Sequence, residues 1–430
     1  MDYIEARRAL EGLPSLKVKP GLDRIIRLLE HLDHPERAFP AIHVAGTNGK
    51  GSVVAMLSSV LSRAGYRVGR FTSPDLIDFR DRISVDGEWI SEEELASQVE
   101  RIIPLLEDTT DSPTLYEVLT AVAFSHFAMK EVDLAVVEVG LGGRYDSTNV
   151  VRPILTILTT VGLDHTDLLG DTIGEIAWEK VGIAKRGVPL VVGELPVEAE
   201  RVVQQECERA GAELVDVTDI TLRRSNHSLD FAAYEVTATS LPRSVRVPLV
   251  ATYQQGNLRL VLRAITELRK RGLSIRDEAI VSGLAATSWP GRFEVVGRDP
   301  LIVLDGAHNP HAIRALVTEV KTFLPQRDKW HLLFGVLANK DYAAMASILF
   351  PLFSRVTLTS SSSPRALPAD SLAGIAAEMG VDYDLTGSMS AGLAAARAGL
   401  RPDDALLIAG SLTVVREARA LLLKEQSPAA

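Results

Sequence analysis

Hydrophobic positions along this chain follow two periods in turn, and that succession predicts its elements. Apolar, β-branched runs at Ala41–Ala45, Leu134–Val139, Ile154–Val161 and Pro189–Val192 read as strands buried on both faces. Between them, Val53–Ala64, Leu115–Met129 and Asp171–Ala184 carry apolar residues at helical spacing. Strand and helix in succession imply an α/β protein with a mainly parallel sheet. Residues 220–248 change character: alternation in Leu229-Asp230-Phe231 and Tyr234–Thr237 predicts a local antiparallel hairpin. Helical patterns then cover Tyr253–Arg271 and Arg276–Thr287.

Trp289-Pro290-Gly291 punctuates the chain, and the succession restarts at Leu301–Leu304, His311–Phe323, Leu332–Val336, Tyr342–Leu349, Val356–Thr359 and Ala405–Ala409. We therefore place a domain boundary near Ser288. Residues 1–288 form an N-terminal domain with a phosphate loop and a mainly parallel sheet. Residues 289–430 form a smaller, doubly wound α/β domain.

Composition narrows the function. A net charge of −10 and 5% aromatic residues argue against a nucleic-acid surface built on phosphate contacts and base stacking. Cations that hold an anionic ligand must then be local. Cys207 is the single cysteine, so no intramolecular disulfide can form, and its charged neighbours read as a solvated helix face. No apolar run reaches membrane-spanning length, and the first residues lack a signal pattern. The expectation is a cytoplasmic monomer with no membrane partner.

The most telling segment is Gly46-Thr47-Asn48-Gly49-Lys50-Gly51-Ser52, between the first strand and the first long helix. Glycines let backbone amides approach an anion, a helix N-terminus favours negative charge, Lys50 adds a cation and Ser52 offers an oxygen to Mg²⁺. The spacing departs from the common phosphate loop. Two residues, not four, separate Gly46 from Gly49, and Gly51 stands between Lys50 and Ser52. A glycine turn without a ligand is the alternative.

Further segments occur in order: Phe71-Thr72-Ser73-Pro74, Glu138 to Asn149, Gly162-Leu163-Asp164-His165, Glu179 to Lys185, Gln254 to Asn257, Pro290-Gly291-Arg292 and Leu304 to Pro310. With the glycine loop, they resemble the folylpolyglutamate synthase/dihydrofolate synthase family of ATP-dependent ligases, relatives of the Mur ligases. The resemblance spans essentially the whole chain. It implies that a folate or dihydropteroate carboxylate attacks ATP to give an acyl phosphate, and that the amine of L-glutamate then displaces phosphate.

It also implies roles. Ser52, Ser73, Glu138, His165 and a carbamylated Lys180 would hold Mg²⁺. The glycine loop, Asn257, Arg292 and Asp305 would meet the nucleotide. Asp75 and Asp146 fall on the acceptor side, and His308 and Ser411 on the phosphate and glutamate side. Read as residues alone, each has an ordinary alternative. Glu138 can pair with Arg144, His165 can be a packed histidine, Lys180 can face solvent beside Glu175 or Glu179, and Asn257 can be a cap. Lys185 reads as the residue closing a helix against its dipole. Asp75 stands where the family usually has histidine; it either accepts hydrogen bonds from a pterin or caps a helix from Leu76. The other departures are Asp81-Arg82-Ile83 and a missing aromatic after Ser411, whereas Lys340-Asp341 is intact. A Mur-type ligase for a non-folate acceptor, a small-molecule kinase and a nucleotide-dependent switch are the competing functions. The need for Arg292, Asp305 and His308 in a second domain disfavours the switch. With the two sets divided between domains, closure about Trp289-Pro290-Gly291 is expected.

Overall fold

The computed structural model describes residues 1–14, 21–106, 111–323 and 330–426. The described chain divides into two compact units. The first holds Met1–Arg224, Ala233–Val247 and Gln254–Ser288; the second holds Ser225–Ala232, Pro248–Tyr253 and Trp289 onward.

The first unit is built on β1 (Ala41–Ala45), β2 (Val68–Phe71), β3 (Ile83–Val85), β4 (Glu88–Trp89), β5 (Leu134–Glu138), β6 (Pro153–Leu158), β7 (Pro189–Val192) and β8 (Glu213–Val215). Their order across the sheet is β4-β3-β2-β5-β1-β6-β7-β8. β1 lies at the centre, parallel to β5 and β6, while β3 and β4 run antiparallel at one edge. All five residues of β1 and of β5 are buried, the polar His43 and Glu138 among them, as mostly apolar central strands of a parallel sheet should be. A small second sheet has the order β11 (Ser244–Val247), β10 (Ala232–Thr237), β9 (Thr221–Arg224).

The second unit carries β12 (Glu294–Arg298), β13 (Leu301–Leu304), β14 (Trp330–Phe334), β15 (Arg355–Leu358), β16 (Tyr383–Leu385) and β17 (Ala405–Ala409). Their order is β12-β13-β17-β14-β15-β16. Only β12 is antiparallel to its neighbour. Val303, Leu332, Phe334, Val356 and Leu407 lead its core, with Val250 and Ala251 added from the segment before Gln254.

Local chemistry moved several expected boundaries. The helix expected at Asp171–Ala184 spans Ile173–Val181, because Thr172 and Glu175 form a capping box at its start and Gly182 ends it. Lys185 therefore lies beyond the helix, where its ammonium donates to Asn149 Oδ1 at 2.7 Å. The strand expected to reach Val161 stops at Leu158. Leu229-Asp230-Phe231 alternates without forming a strand; Asp230 pairs with Arg298, and β9 takes the place beside β10. Cys207 is buried against Val203 and Ala199, and burial with Glu206 and Glu208 pushes its thiol up to about 11. Its charged neighbour Glu206 is buried too, held by Arg144 and Arg209.

The helix Leu115–Met129 shows how one buried pair fixes an element. Thr114 and Glu117 form its capping box, and the Glu117 carboxylate also accepts from Arg24 Nε at 3.0 Å. Both side chains are nearly inaccessible. Removing the carboxylate leaves the buried Arg24 guanidinium with the half-exposed Asp111 as its remaining carboxylate partner among those described, and deletes the Glu117 half of the capping box. We predict that Glu117→Ala lowers unfolding free energy by about 3–5 kcal/mol, measured by urea denaturation. A loss under about 1 kcal/mol would place this pair with exposed ones.

Candidate active site

The turn after β1 is shaped by close approach. Gly46 and Gly49 have φ of 149° and 88°. A Cβ on Gly46 would lie 1.9 Å from Thr159 Oγ1, and one on Gly49 would lie 2.3 Å from Asn257 Oδ1. The loop is strapped to the chain leaving β6. Thr47 N donates to Thr160 O at 2.8 Å, Asn48 N to Thr160 Oγ1 at 3.0 Å, and Thr159 Oγ1 to Asn48 O at 2.6 Å. Thr47 Oγ1 donates to Gly162 O and accepts from Gly162 N. The amides of Thr47 and Asn48 are thus committed within the protein. Anion-binding amides are left to the first turn of the helix Lys50–Arg63, whose leading N–H groups lack intrahelical acceptors.

Two ammonium groups converge on this turn. Lys50 Nζ donates to Gly46 O at 3.1 Å, and Lys180 Nζ donates to the same oxygen at 3.2 Å. Lys180 sits near the end of its helix and is 4% exposed, which removes the solvated-face alternative. Burial, reinforced by the charge of Lys50, lowers its pKa to about 7; Asp164, Glu179 and Asp146 oppose the shift. Glu138 ends β5, beside Val44 in the sheet. Its Oε1 lies 4.0 Å from Lys50 Nζ, and its Oε2 accepts from Ser73 N at 3.3 Å. Ser52 Oγ accepts from Gln254 Nε2 at 3.2 Å, and Gln254 Oε1 accepts from Asn257 Nδ2 at 2.7 Å. Lys50, Ser52, Ser73, Glu138, Lys180 and Asn257 are therefore brought to one turn by direct contacts.

His165 has a left-handed backbone and leads the short helix Thr166–Leu169. Its ring Nε2 is 3.9 Å from Asp164 Oδ1, the carboxylate that also acts on Lys180. Among the described residues, no group of three or more His, Cys, Asp or Glu side chains forms a ready metal cage. The oxygen set of Glu138, Ser52 and Ser73 nevertheless suits Mg²⁺, which keeps waters and takes phosphate oxygens rather than an all-protein cage.

After Asp75, no helix begins at Leu76. The amides of Leu76 and Ile77 go to Asp81 Oδ2, and Asp78 caps the turn Phe79–Arg82. Asp75 instead pairs with Arg82, whose Nε lies 3.1 Å away. Asp146 is buried, and its carboxylate accepts from the amides of Leu141 and Thr148 and from the Thr148 hydroxyl.

In the second unit, Asp305 is buried at the end of β13. It accepts from Tyr253 Oη at 2.7 Å, Phe293 N at 2.9 Å and Ala307 N at 2.8 Å. Burial raises its pKa, opposed by Tyr253 and Arg292. His308 Nδ1 lies 2.8 Å from Gly306 O. A Cβ on Gly306 would come within 2.7 Å of Arg292 Nη1, so Arg292 lies over the same turn. Ser411 caps the helix Leu412–Gln426 by accepting from Val414 N at 3.2 Å.

Sequence reasoning gave no role to Thr159, Thr160, Asp164, Gln254 or Tyr116. Tyr116 Oη lies 3.4 Å from Glu138 O, and its ring covers Gly140. Two threonines closing an apolar strand, and a glutamine at a helix start, were the available signals.

A phosphate loop on a central parallel strand, followed by a second parallel α/β unit, defines a Mur-type ligase. The Mur ligase middle domain family matches residues 44–217, and the family described as "Mur ligase, glutamate ligase domain" matches residues 291–412. A dihydrofolate synthase/folylpolyglutamate synthase of Bacillus subtilis is 40% identical over 86% of this chain and 88% of its own length. A folylpolyglutamate synthase of Lacticaseibacillus casei is 36% identical over 99% and 100%. The solved Mycobacterium tuberculosis folylpolyglutamate synthase, complexed with ADP and AMPPCP, superposes with a TM-score of 0.89 at 30% identity, covering 98% of this chain and 99% of that one. The chain belongs to the folylpolyglutamate synthase/dihydrofolate synthase family.

The contact between Gly49 and Asn257 leaves no room for a side chain. We predict that Gly49→Ala, strained at positive φ and pressed on Asn257, weakens ATP-analogue binding at least about tenfold. Titration with a fluorescent ATP analogue measures it; unchanged affinity in a folded variant would show that this turn does not form the nucleotide cradle.

Proposed function

We propose that this ligase joins L-glutamate to the carboxylate of a folate-type acceptor, using ATP, and that it also makes dihydrofolate from dihydropteroate. The observation that carries the reading is the convergence of Lys50 and Lys180 on Gly46 O with Glu138 alongside. Lys50 beside the first-turn amides offers the triphosphate of ATP a cation, and Lys180, once carbamylated, would join Glu138 as an oxygen donor. The acceptor carboxylate attacks the γ-phosphorus, and the bond to the leaving ADP oxygen breaks. The glutamate amine then attacks the acyl carbon, phosphate departs and the amine proton is lost. Lys50 and the first-turn amides hold phosphate oxygens throughout.

We assign Mg²⁺ to Ser52, Ser73, Glu138, His165 and a carbamylated Lys180; when bound, the ion neutralises charge on the β- and γ-phosphates. Arg292, Asp305 and Asn257 are assigned to the nucleotide. His308 is assigned to the transferred phosphate, and the glutamate contact to the helix start capped by Ser411. Asp75 and Asp146 are assigned to the acceptor. Among the described residues no helix is long and apolar enough to cross a membrane. We take the working form as a cytoplasmic monomer, in keeping with a single cysteine.

A substrate panel read by mass spectrometry tests the reaction. Dihydropteroate, dihydrofolate and reduced folates should each gain one glutamate per ADP and phosphate formed. Phosphate release indifferent to folate and glutamate would favour a switch ATPase, and a stable phosphorylated acceptor would favour a kinase.

Carbamylation requires a neutral amine, which attacks CO₂, forms an N–C bond and loses a proton. With a Lys180 pKa near 7, the ammonium dominates below that pH and the amine above it. At equal dissolved CO₂, CO₂-stripped enzyme should therefore reactivate faster at pH 8 than at pH 6. Intact-mass spectra showing unmodified lysine in fully active protein would refute the modification.

Asp75→Ala should raise the folate KM several-fold and leave the ATP KM unchanged, because the pair with Arg82 is local to the acceptor side. Steady-state kinetics with each substrate varied in turn decide it; parallel changes in both constants would count against the assignment.

A further inference from the structure

His43 is fully buried at the centre of β1, with Val137 and Thr156 as its sheet neighbours. Its Nε2 lies 2.8 Å from Thr148 Oγ1. Bonds from the amides of Leu141 and Thr148 favour the ionised form of Asp146 against the burial that raises its pKa, and an ionised carboxylate only accepts, so the single proton of the Thr148 hydroxyl goes to Asp146 Oδ1. Thr148 Oγ1 must therefore accept from His43, so Nε2 carries the ring proton. Nδ1 is left buried, unprotonated and without a hydrogen-bond partner. Burial holds the ring neutral, with its pKa lowered to about 3. An apolar residue would fill this strand position without orphaning a nitrogen. What the imidazole adds is the single bond at Nε2.

That bond ends on the acceptor side. Asp146 accepts from Leu141 N, Thr148 N and the Thr148 hydroxyl, closing residues 140–149 directly after Glu138. Its charge also acts on Tyr116, which lies beside Ser73 and Glu138.

We propose that His43 is a positioning residue for the folate-type acceptor: as its Nε2–H tautomer it orients the Thr148 hydroxyl on Asp146, and so fixes the carboxylate that the acceptor meets. The inference rests on the assignment of Asp146 to the acceptor side. It links the strand that carries the phosphate loop to acceptor recognition through two side chains.

Two measurements test it on the full chain. In ¹⁵N-histidine NMR spectra, the ring assigned to His43 by its loss in His43→Gln should show a proton on Nε2 and none on Nδ1. An Nδ1–H tautomer overturns the relay. In kinetics, Thr148→Val should raise the folate-acceptor KM about tenfold, the loss expected for one buried hydrogen bond, and leave the ATP KM within about twofold. His43→Leu should do the same, and His43→Gln, which keeps a donor near Nε2, should recover most of the loss. Acceptor and ATP constants that rise together, or a change confined to melting temperature, overturn it. Should His43→Leu not fold, Thr148→Val and the tautomer still decide. Wild-type protein that ligates glutamate to no folate would sink the proposed function, while the tautomer still judges the relay on its own.

Discussion

A single backbone oxygen, that of Gly46, receives two ammonium groups, and much of the first unit is arranged around that crowding. Two like charges on one carbonyl repel, and burial of Lys180 removes water that would screen it. Glu138 offsets Lys50 only partly at 4.0 Å. Burial and the neighbouring cation together bring the Lys180 pKa far below that of a free lysine. An anion placed here relieves repulsion as well as gaining attraction. Ligand binding should thus stabilise the fold by ordinary linkage, since the unfolded chain has no such cluster. In a protein of net charge −10, Lys50 and Lys180 together make a local concentration of donors to one oxygen.

The crowding is sustained by rigid supports. The loop is tied down beside Lys180, because Thr47 and Asn48 are held by Thr160 and Gly162 from the segment that follows β6. Ser52 is held by Gln254, and Glu138 is held near Ser73. Each support comes from the C-terminal end of a parallel strand or the start of a helix, where an open α/β sheet gathers loops. The fold thus delivers short polar residues to one place from distant parts of the sequence.

The elements whose physics is local were legible from the chain alone. β1, β7, β13, β17 and the helix Leu115–Met129 lie where their apolar runs and caps put them. The hairpin was misread at Leu229–Phe231, where alternation serves the second unit's core and surface instead. In the site, Lys50 and Lys180 were recognisable by motif, but their meeting on one oxygen was not, because 130 positions separate them in the chain. Asp75 was read as a reader of pterin or a helix cap. Its pairing with Arg82 depends on a turn that Asp81 and Asp78 build, which no periodicity announces. The resemblance puts Asp146 on the acceptor side, but no periodicity announces the bonds from Leu141 N, Thr148 N and the Thr148 hydroxyl that hold its carboxylate in place.

Tyr253 and Gln254 are neighbours in sequence with different allegiances. Tyr253 donates its hydroxyl to Asp305, while Gln254 donates its amide to Ser52 of the phosphate loop. One peptide bond separates them. An inserted residue at this junction would have to be absorbed between the Tyr253–Asp305 bond and the first residue of the helix Gln254–Lys270. Engineers who graft sensors into this protein or recombine it with relatives have safer seams at exposed loop tips than between these two anchored residues.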